Sequence, residues 1–168
     1  MKIIQTHNIK VPKQVHTTSL GLPEKFNKEY IKKIYELVGP ENFKTNVKGL
    51  MTTWWIGQES NIFLPFIKKV EEIVNYINPE TKKLIITECW GAIYQKTHYA
   101  KEHHHLPNEI SFVYFLNDSS TPLIFPDFSI IPKKDLLTFF PSDLLHTVPE
   151  HKDQQDRVIL SGNLNYSR

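Results

Sequence analysis

Residues 84–117 read LIITECWGAIYQKTHYAKEHHHLPNEISFVYFLN. Two runs rich in β-branched and aromatic residues, 84–95 and 110–117, flank a polar stretch that holds three consecutive histidines. Such runs, bounded by Pro, Asn and Asp, are the signature of strands. More follow toward the C-terminus: TPLIFP (121–126), DLLTFFP (135–141), LHTVP (145–149) and RVILSGNLNY (157–166). Short strands spaced about 8–12 residues apart predict a β-sandwich or jelly roll.

Upstream the period changes. In PEKFNKEYIKKIYELVG (23–39), Phe26, Tyr30, Ile34, Leu37 and Val38 recur at helical spacing, and Gly39-Pro40 stops the helix. Ser60-Asn61 can cap a second helix whose apolar stripe is Phe63, Phe66, Ile67, Val70, Ile73, Val74 and Ile77, ended by Asn78-Pro79. Residues 41–58 show no clear period, and residues 1–20 read as an extended arm with one strand in KIIQTHNIKV (2–11). The expected class is mainly β with flanking helices that buttress one face of the sheets.

The 168 residues suit one domain, 1–168, with residues 1–80 as a helical buttress. Lys plus Arg (20) nearly balances Asp plus Glu (18), so no nucleic-acid footprint is expected. A hydrophobic share of 40% is enough for a packed core. No apolar run approaches a bilayer span and the N-terminus lacks a signal-peptide core, so a cytoplasmic protein is expected. Cys89 is the single cysteine, which excludes internal disulfides and thiolate-rich metal sites; a metal here needs nitrogen and oxygen ligands.

Four of the eight histidines fall between positions 98 and 105. On an extended strand, side chains at i and i+2 share a face, so His103 and His105 can aim two imidazoles into one space while His104 points away. His146 lies between apolar residues, where an imidazole must find a partner or a metal, and it is the best third ligand. Such a set suits Fe, Zn, Cu or Ni. The plainer readings are a polar surface run for the triple histidine and a hydrogen-bonded core histidine for His146. His98 is expected near the site but not in it, and His7, His16 and His151 are expected to be solvated. Arg157 opens an apolar strand and needs an anion, for which its planar fork fits a carboxylate; the plainer partner is Asp153 or Asp156.

The series Trp90-Gly91-Ala92-Ile93-Tyr94, His103-His104-His105, residues 110–116, residues 139–148, Arg157 and Asn163 resembles the Fe(II)/2-oxoglutarate-dependent oxygenases, of the prolyl-hydroxylase-like, phage and bacterial type. The resemblance covers roughly 84–166 and implies a double-stranded β-helix (cupin-like jelly roll) there. It implies His103, His105 and His146 as iron ligands, and Arg157 as the grip on the C5 carboxylate of 2-oxoglutarate. Tyr94, Ser161 or Tyr114 could bond the same carboxylate. The implied reaction uses Fe(II), 2-oxoglutarate and O2, releases succinate and CO2, and hydroxylates a small-molecule or peptidyl substrate that no motif identifies. A phage origin would place the protein in the host cytoplasm. Trp54, Trp55 and Trp90 could line the substrate approach or pack in the core.

One departure stands out. The usual iron set is two histidines and a carboxylate, whereas this chain offers a third histidine, with Glu102 or Glu109 as nearby acids. Two other readings therefore stand: a three-histidine cupin-type metalloenzyme that does not use 2-oxoglutarate, and a non-catalytic metal-binding jelly-roll module.

Overall fold

The computed structural model describes residues 12–40, 46–79 and 81–167. The strand expected in KIIQTHNIKV, and His7 within it, lie outside the described residues. Strand β1 (His16–Ser19) precedes helix α1 (Glu24–Leu37), which buries Asn27, Tyr30 and Ile34 at spacings of three and four. Next come β2 (Val47–Lys48), β3 (Leu50–Met51) and the one-turn helix α2 (Ile56–Glu59), all from the stretch without a period. Elements of two to four residues are too short to print one. A 3-10 turn, Asn61–Phe63, leads into α3 (Leu64–Ile77), which buries Phe66, Val70 and Val74. Ser60 stands before that turn in extended conformation, but its side chain makes no capping bond.

The remaining strands are β4 (Leu84–Tyr94), β5 (Tyr99–His103), β6 (Ile110–Phe115), β7 (Leu123–Ile124), β8 (Ser129–Ile130), β9 (Leu136–Pro141), β10 (His146–Val148) and β11 (Arg157–Tyr166). They form two antiparallel sheets, a six-stranded one ordered β1-β9-β6-β11-β4-β3 and a five-stranded one ordered β2-β5-β10-β7-β8. The architecture resembles a double-stranded β-helix. Each apolar run of the sequence supplies a strand, although TPLIFP contributes only Leu123 and Ile124 to a ladder.

Period-2 alternation divides the six-stranded sheet into two faces. On its outer face Ile93, Phe112, Tyr114, Val158 and Leu160 pack with Tyr30 and Ile34 of α1 and Phe66, Val70 and Val74 of α3. Gly91 makes the close approach of α1 possible, because a Cβ there would stand 2.7 Å from Ile34 Cγ1. On the inner face Trp90, Ala92, Tyr94, Val113, Phe115 and Ile159 meet Ala100, Leu123 and Val148 of the smaller sheet. The site opens within this second core.

Helix α3 also closes a strand edge. Beyond the short pairing with β3, the backbone of β4 turns to side chains of α3: Leu84 N–H donates to Asn75 Oδ1 (2.8 Å), Asn75 Nδ2 donates to Leu84 O (2.8 Å), and Ile86 N–H donates to Glu71 Oε1 (2.8 Å). Buried or half-buried backbone groups at an edge need such partners.

Candidate metal centre

His103 ends β5 and faces His146, the first residue of β10, across the ladder. His105 lies two residues past the end of β5, and its backbone N–H donates to Ser142 O at 2.7 Å. The three imidazoles converge, with ring centroids 4.3 to 5.1 Å apart and one ligand nitrogen of each within 4.8 Å of the others. No Asp or Glu among the described residues joins this group, and Glu102 and Glu109 are exposed. His104 is exposed, as the alternation requires.

The hydrogen bonds fix the tautomers of two rings. His103 Nδ1 lies 2.6 Å from Lys101 O, and His146 Nδ1 lies 3.0 Å from Leu144 O. A carbonyl only accepts, so each Nδ1 carries the proton and each neutral ring presents the lone pair of Nε2. This is the arrangement that orients metal-binding histidines. Burial, reinforced by the neighbouring imidazoles, lowers His105 to about 3 and His146 to about 4, and burial lowers His103 as well. All three rings are therefore neutral at physiological pH, the state in which they can ligate.

Arg157 lines the same pocket and is 1% exposed. Its guanidinium carbon lies 4.8 Å from the ring centroid of Tyr94 and 5.4 Å from that of Phe115. Its Nε and Nη1 are buried without a hydrogen-bond partner. The plainer salt bridges do not form: Asp153 accepts from Ser119 and Ser120, and Asp156 from Tyr35 and Gln95. Burial works against the charge of Arg157, and burial raises the Tyr94 phenol, partly opposed by that cation. Two buried guanidinium donors without partners are costly unless an anion completes them.

The other candidate residues divide. Ser161 lines the pocket, but its hydroxyl proton is given to Phe112 O (2.8 Å), which leaves it only an acceptor. Tyr114 sits on the outer face, where its hydroxyl bonds Asn27 and Asp135, so it cannot reach the pocket from which a carboxylate would be held. The error is one of strand parity: Tyr94 faces inward and Tyr114 outward. Trp54 and Trp90 line the pocket as an edge-to-face pair with centroids 4.6 Å apart, whereas the exposed Trp55 lines a separate surface hollow with Leu64, Ile67 and Ile86.

His151 and His16 depart from the solvated reading. His151 is 0% exposed, with Nδ1 at 2.7 Å from Thr121 Oγ1 and Nε2 at 2.8 Å from Gln155 O, while His16 stacks half-buried on Phe139. His98 is buried, and it accepts His151 N–H at its carbonyl (2.7 Å) and Gln95 N–H at Nδ1 (3.0 Å). It is outside the three-histidine group. Sequence reading passed over Met51 and Asn46 of the pocket wall, since neither has a spacing that marks it.

No protein-family model and no curated protein matches the chain. Solved structures do. A viral collagen prolyl hydroxylase from Paramecium Bursaria Chlorella virus-1, in a 2OG complex, matches at TM-score 0.72 and 16% identity over 89% of this chain and 94% of its own. The chain shares the fold of that hydroxylase. The non-heme alpha ketoglutarate dependent epimerase SnoN from nogalamycin biosynthesis matches at 0.76 and 10% identity, over 90% and 77%. HygX from Streptomyces hygroscopicus, with nickel and 2-oxoglutarate bound, matches at 0.73 and 9% identity, over 91% and 83%.

Proposed function

We propose that this protein is an Fe(II)- and 2-oxoglutarate-dependent dioxygenase that hydroxylates a substrate of unassigned identity. One observation carries the reading: a buried guanidinium with two unpartnered donors shares a pocket with three neutral, converging imidazoles. A metal alone would leave Arg157 unexplained. A ligand with a carboxylate for Arg157 and a second metal-binding end accounts for both.

In this reading Nε2 of His103 and His146, with one ring nitrogen of His105, would hold the iron. Bound iron with 2-oxoglutarate and O2 supplies the oxidising chemistry, with release of succinate and CO2. The protein's own contribution is orientation and shelter. Arg157 offers Nε and Nη1 to the distal carboxylate, and Tyr94, kept protonated by burial, offers a further donor in the same recess. Ser161 serves that end of the pocket as an acceptor and wall. Trp54, 44% exposed, and Trp90, 5% exposed, form an apolar flank beside His105, positioned to seat a substrate and exclude water.

Anaerobic titration of the protein with Fe(II) and then 2-oxoglutarate tests this. The expected result is a visible metal-to-ligand charge-transfer band that Arg157→Ala weakens, and succinate formation in air. Iron binding without that band would favour the second reading, a three-histidine metalloenzyme without 2-oxoglutarate, which the absence of a carboxylate from the ligand group supports. Failure to bind iron would leave a non-catalytic jelly-roll module.

A further inference from the structure

His103 and His146 are fixed twice, by strand pairing and by an Nδ1–H bond to a carbonyl. His105 has neither: it lies beyond β5, and its ring makes no hydrogen bond within the described residues. Apart from a ring contact with Trp90 (centroids 5.9 Å apart), its place depends on its backbone. There the N–H donates to Ser142 O (2.7 Å), and the C=O accepts from Asn108 N–H (3.1 Å) and Asn108 Nδ2 (2.8 Å).

Both of these partners lead to β11. Ser142 Oγ lies 2.7 Å from Ser111 Oγ, Ser111 Oγ donates to Asn163 Oδ1 (2.8 Å), and Asn163 Nδ2 donates to Glu88 Oε2 (2.6 Å). Because Ser111 spends its proton on Asn163, Ser142 must donate to Ser111, and the chain of donors runs one way to a carboxylate. Chains of this kind polarise and strengthen one another. On the other side, Asn108 Oδ1 accepts from Asn165 Nδ2 at 2.7 Å. Asn163 and Asn165 are two apart on β11 and so present side chains to the same face. Ser111 and Asn163, on strands β6 and β11, and Ser142, in the turn after β9, are each 1–2% exposed, and sheet pairing needs none of their side chains.

We propose that Asn163 and Asn165 are positioning residues for the metal centre: acting through Ser111–Ser142 and through Asn108, they hold the backbone of His105 from both sides and set its imidazole against those of His103 and His146. This rests on the metal-site reading above and goes beyond it, since it assigns the work of the third ligand to residues that touch no metal. It also gives Asn163, singled out in the sequence, a task.

The test is Co(II) binding to the full chain, followed by the d–d absorption spectrum and by equilibrium titration, with thermal melting of each apo-variant alongside. Asn163→Ala and the half-buried, milder Asn165→Ala are each expected to weaken Co(II) about 10-fold and to change the spectrum, as losses of outer partners do. In a His105→Ala background the same substitutions are expected to leave the residual Co(II) affinity unchanged. Melting shifts with wild-type affinity and spectrum, or equal losses in both backgrounds, would overturn the proposal and leave the metal site standing. A wild-type chain that binds no Co(II) would overturn the metal reading and this inference together.

Discussion

His103 and His146 lie opposite one another in the β5–β10 ladder, and each aims Nδ1 at the carbonyl two residues before it, Lys101 O and Leu144 O. The two rings thus share a tautomer and a mount, and the strands carry both as one unit.

His103→Ala or His146→Ala should therefore weaken Ni(II) or Co(II) binding by more than about 100-fold, since a lost ligand costs more than a lost outer partner. Calorimetric titration of the folded variants measures it. Removing the partner carbonyls is not possible by substitution, so the comparison is with His104→Ala, which should bind metal as the wild type does.

Arg157 gives opposite signs for binding and folding. Arg157→Met should weaken 2-oxoglutarate by about 100-fold, the loss of charge-assisted bonds worth about 3 kcal/mol in all, while Ni(II) affinity holds. The same substitution should raise the melting temperature of the ligand-free protein, because it replaces a buried charge with two unsatisfied donors by a side chain that packs. Arg157→Lys should not restore 2-oxoglutarate binding, since an ammonium cannot supply the fork.

The depressed histidines make apo-protein stability depend on pH. Unfolded histidine titrates near 6.5, whereas His105 and His146 are held at about 3 and about 4 in the folded chain. Between those values the unfolded state binds more protons, so stability is full above about pH 6.5 and falls as the pH drops toward 4. Melting temperatures of the metal-free protein from pH 7.5 to 4.5 should show this slope, and His105→Gln should flatten part of it.

The seat of α1 can be tested through Gly91. A Cβ at that position meets the branched base of Ile34, which cannot swing aside, so Gly91→Ala should cost about 1–3 kcal/mol in urea denaturation. Ile34→Ala, which removes both Cγ atoms, should cost less in the Gly91→Ala background than alone, and an unchanged midpoint in the single Gly91→Ala variant would contradict the close approach.

Much of this molecule can be read from its residues where apolar runs are long. Strands β4, β6, β9 and β11 declare themselves as runs of β-branched and aromatic residues and helices α1 and α3 by their period, and the imidazoles that converge are those that parity and burial single out. Strand β5 is announced only by the extended setting expected for His103 and His105, because YAKEH is charged and short, and it ends at His103, with His105 beyond it. The outward direction of Tyr114 is hidden because the run ISFVYF is buried on both faces, and a sequence without polar alternation does not tell inward from outward. The role of Ser111 and Ser142 could not be read either: their bond joins residues 31 apart, and only the folded sheet brings them together.

The bonds from Asn75 and Glu71 of α3 to the open side of β4 have an effect beyond the packing of one helix. The six-stranded sheet is otherwise bordered by β1, four residues long, and β3, two; the five-stranded sheet by β2 and β8, two each. A stray extended chain needs a run of unpaired N–H and C=O groups on which to add itself. Here the longest such run is already occupied by amide and carboxylate side chains from its own helix, which protects a strand-rich molecule from templated self-adhesion as its concentration rises.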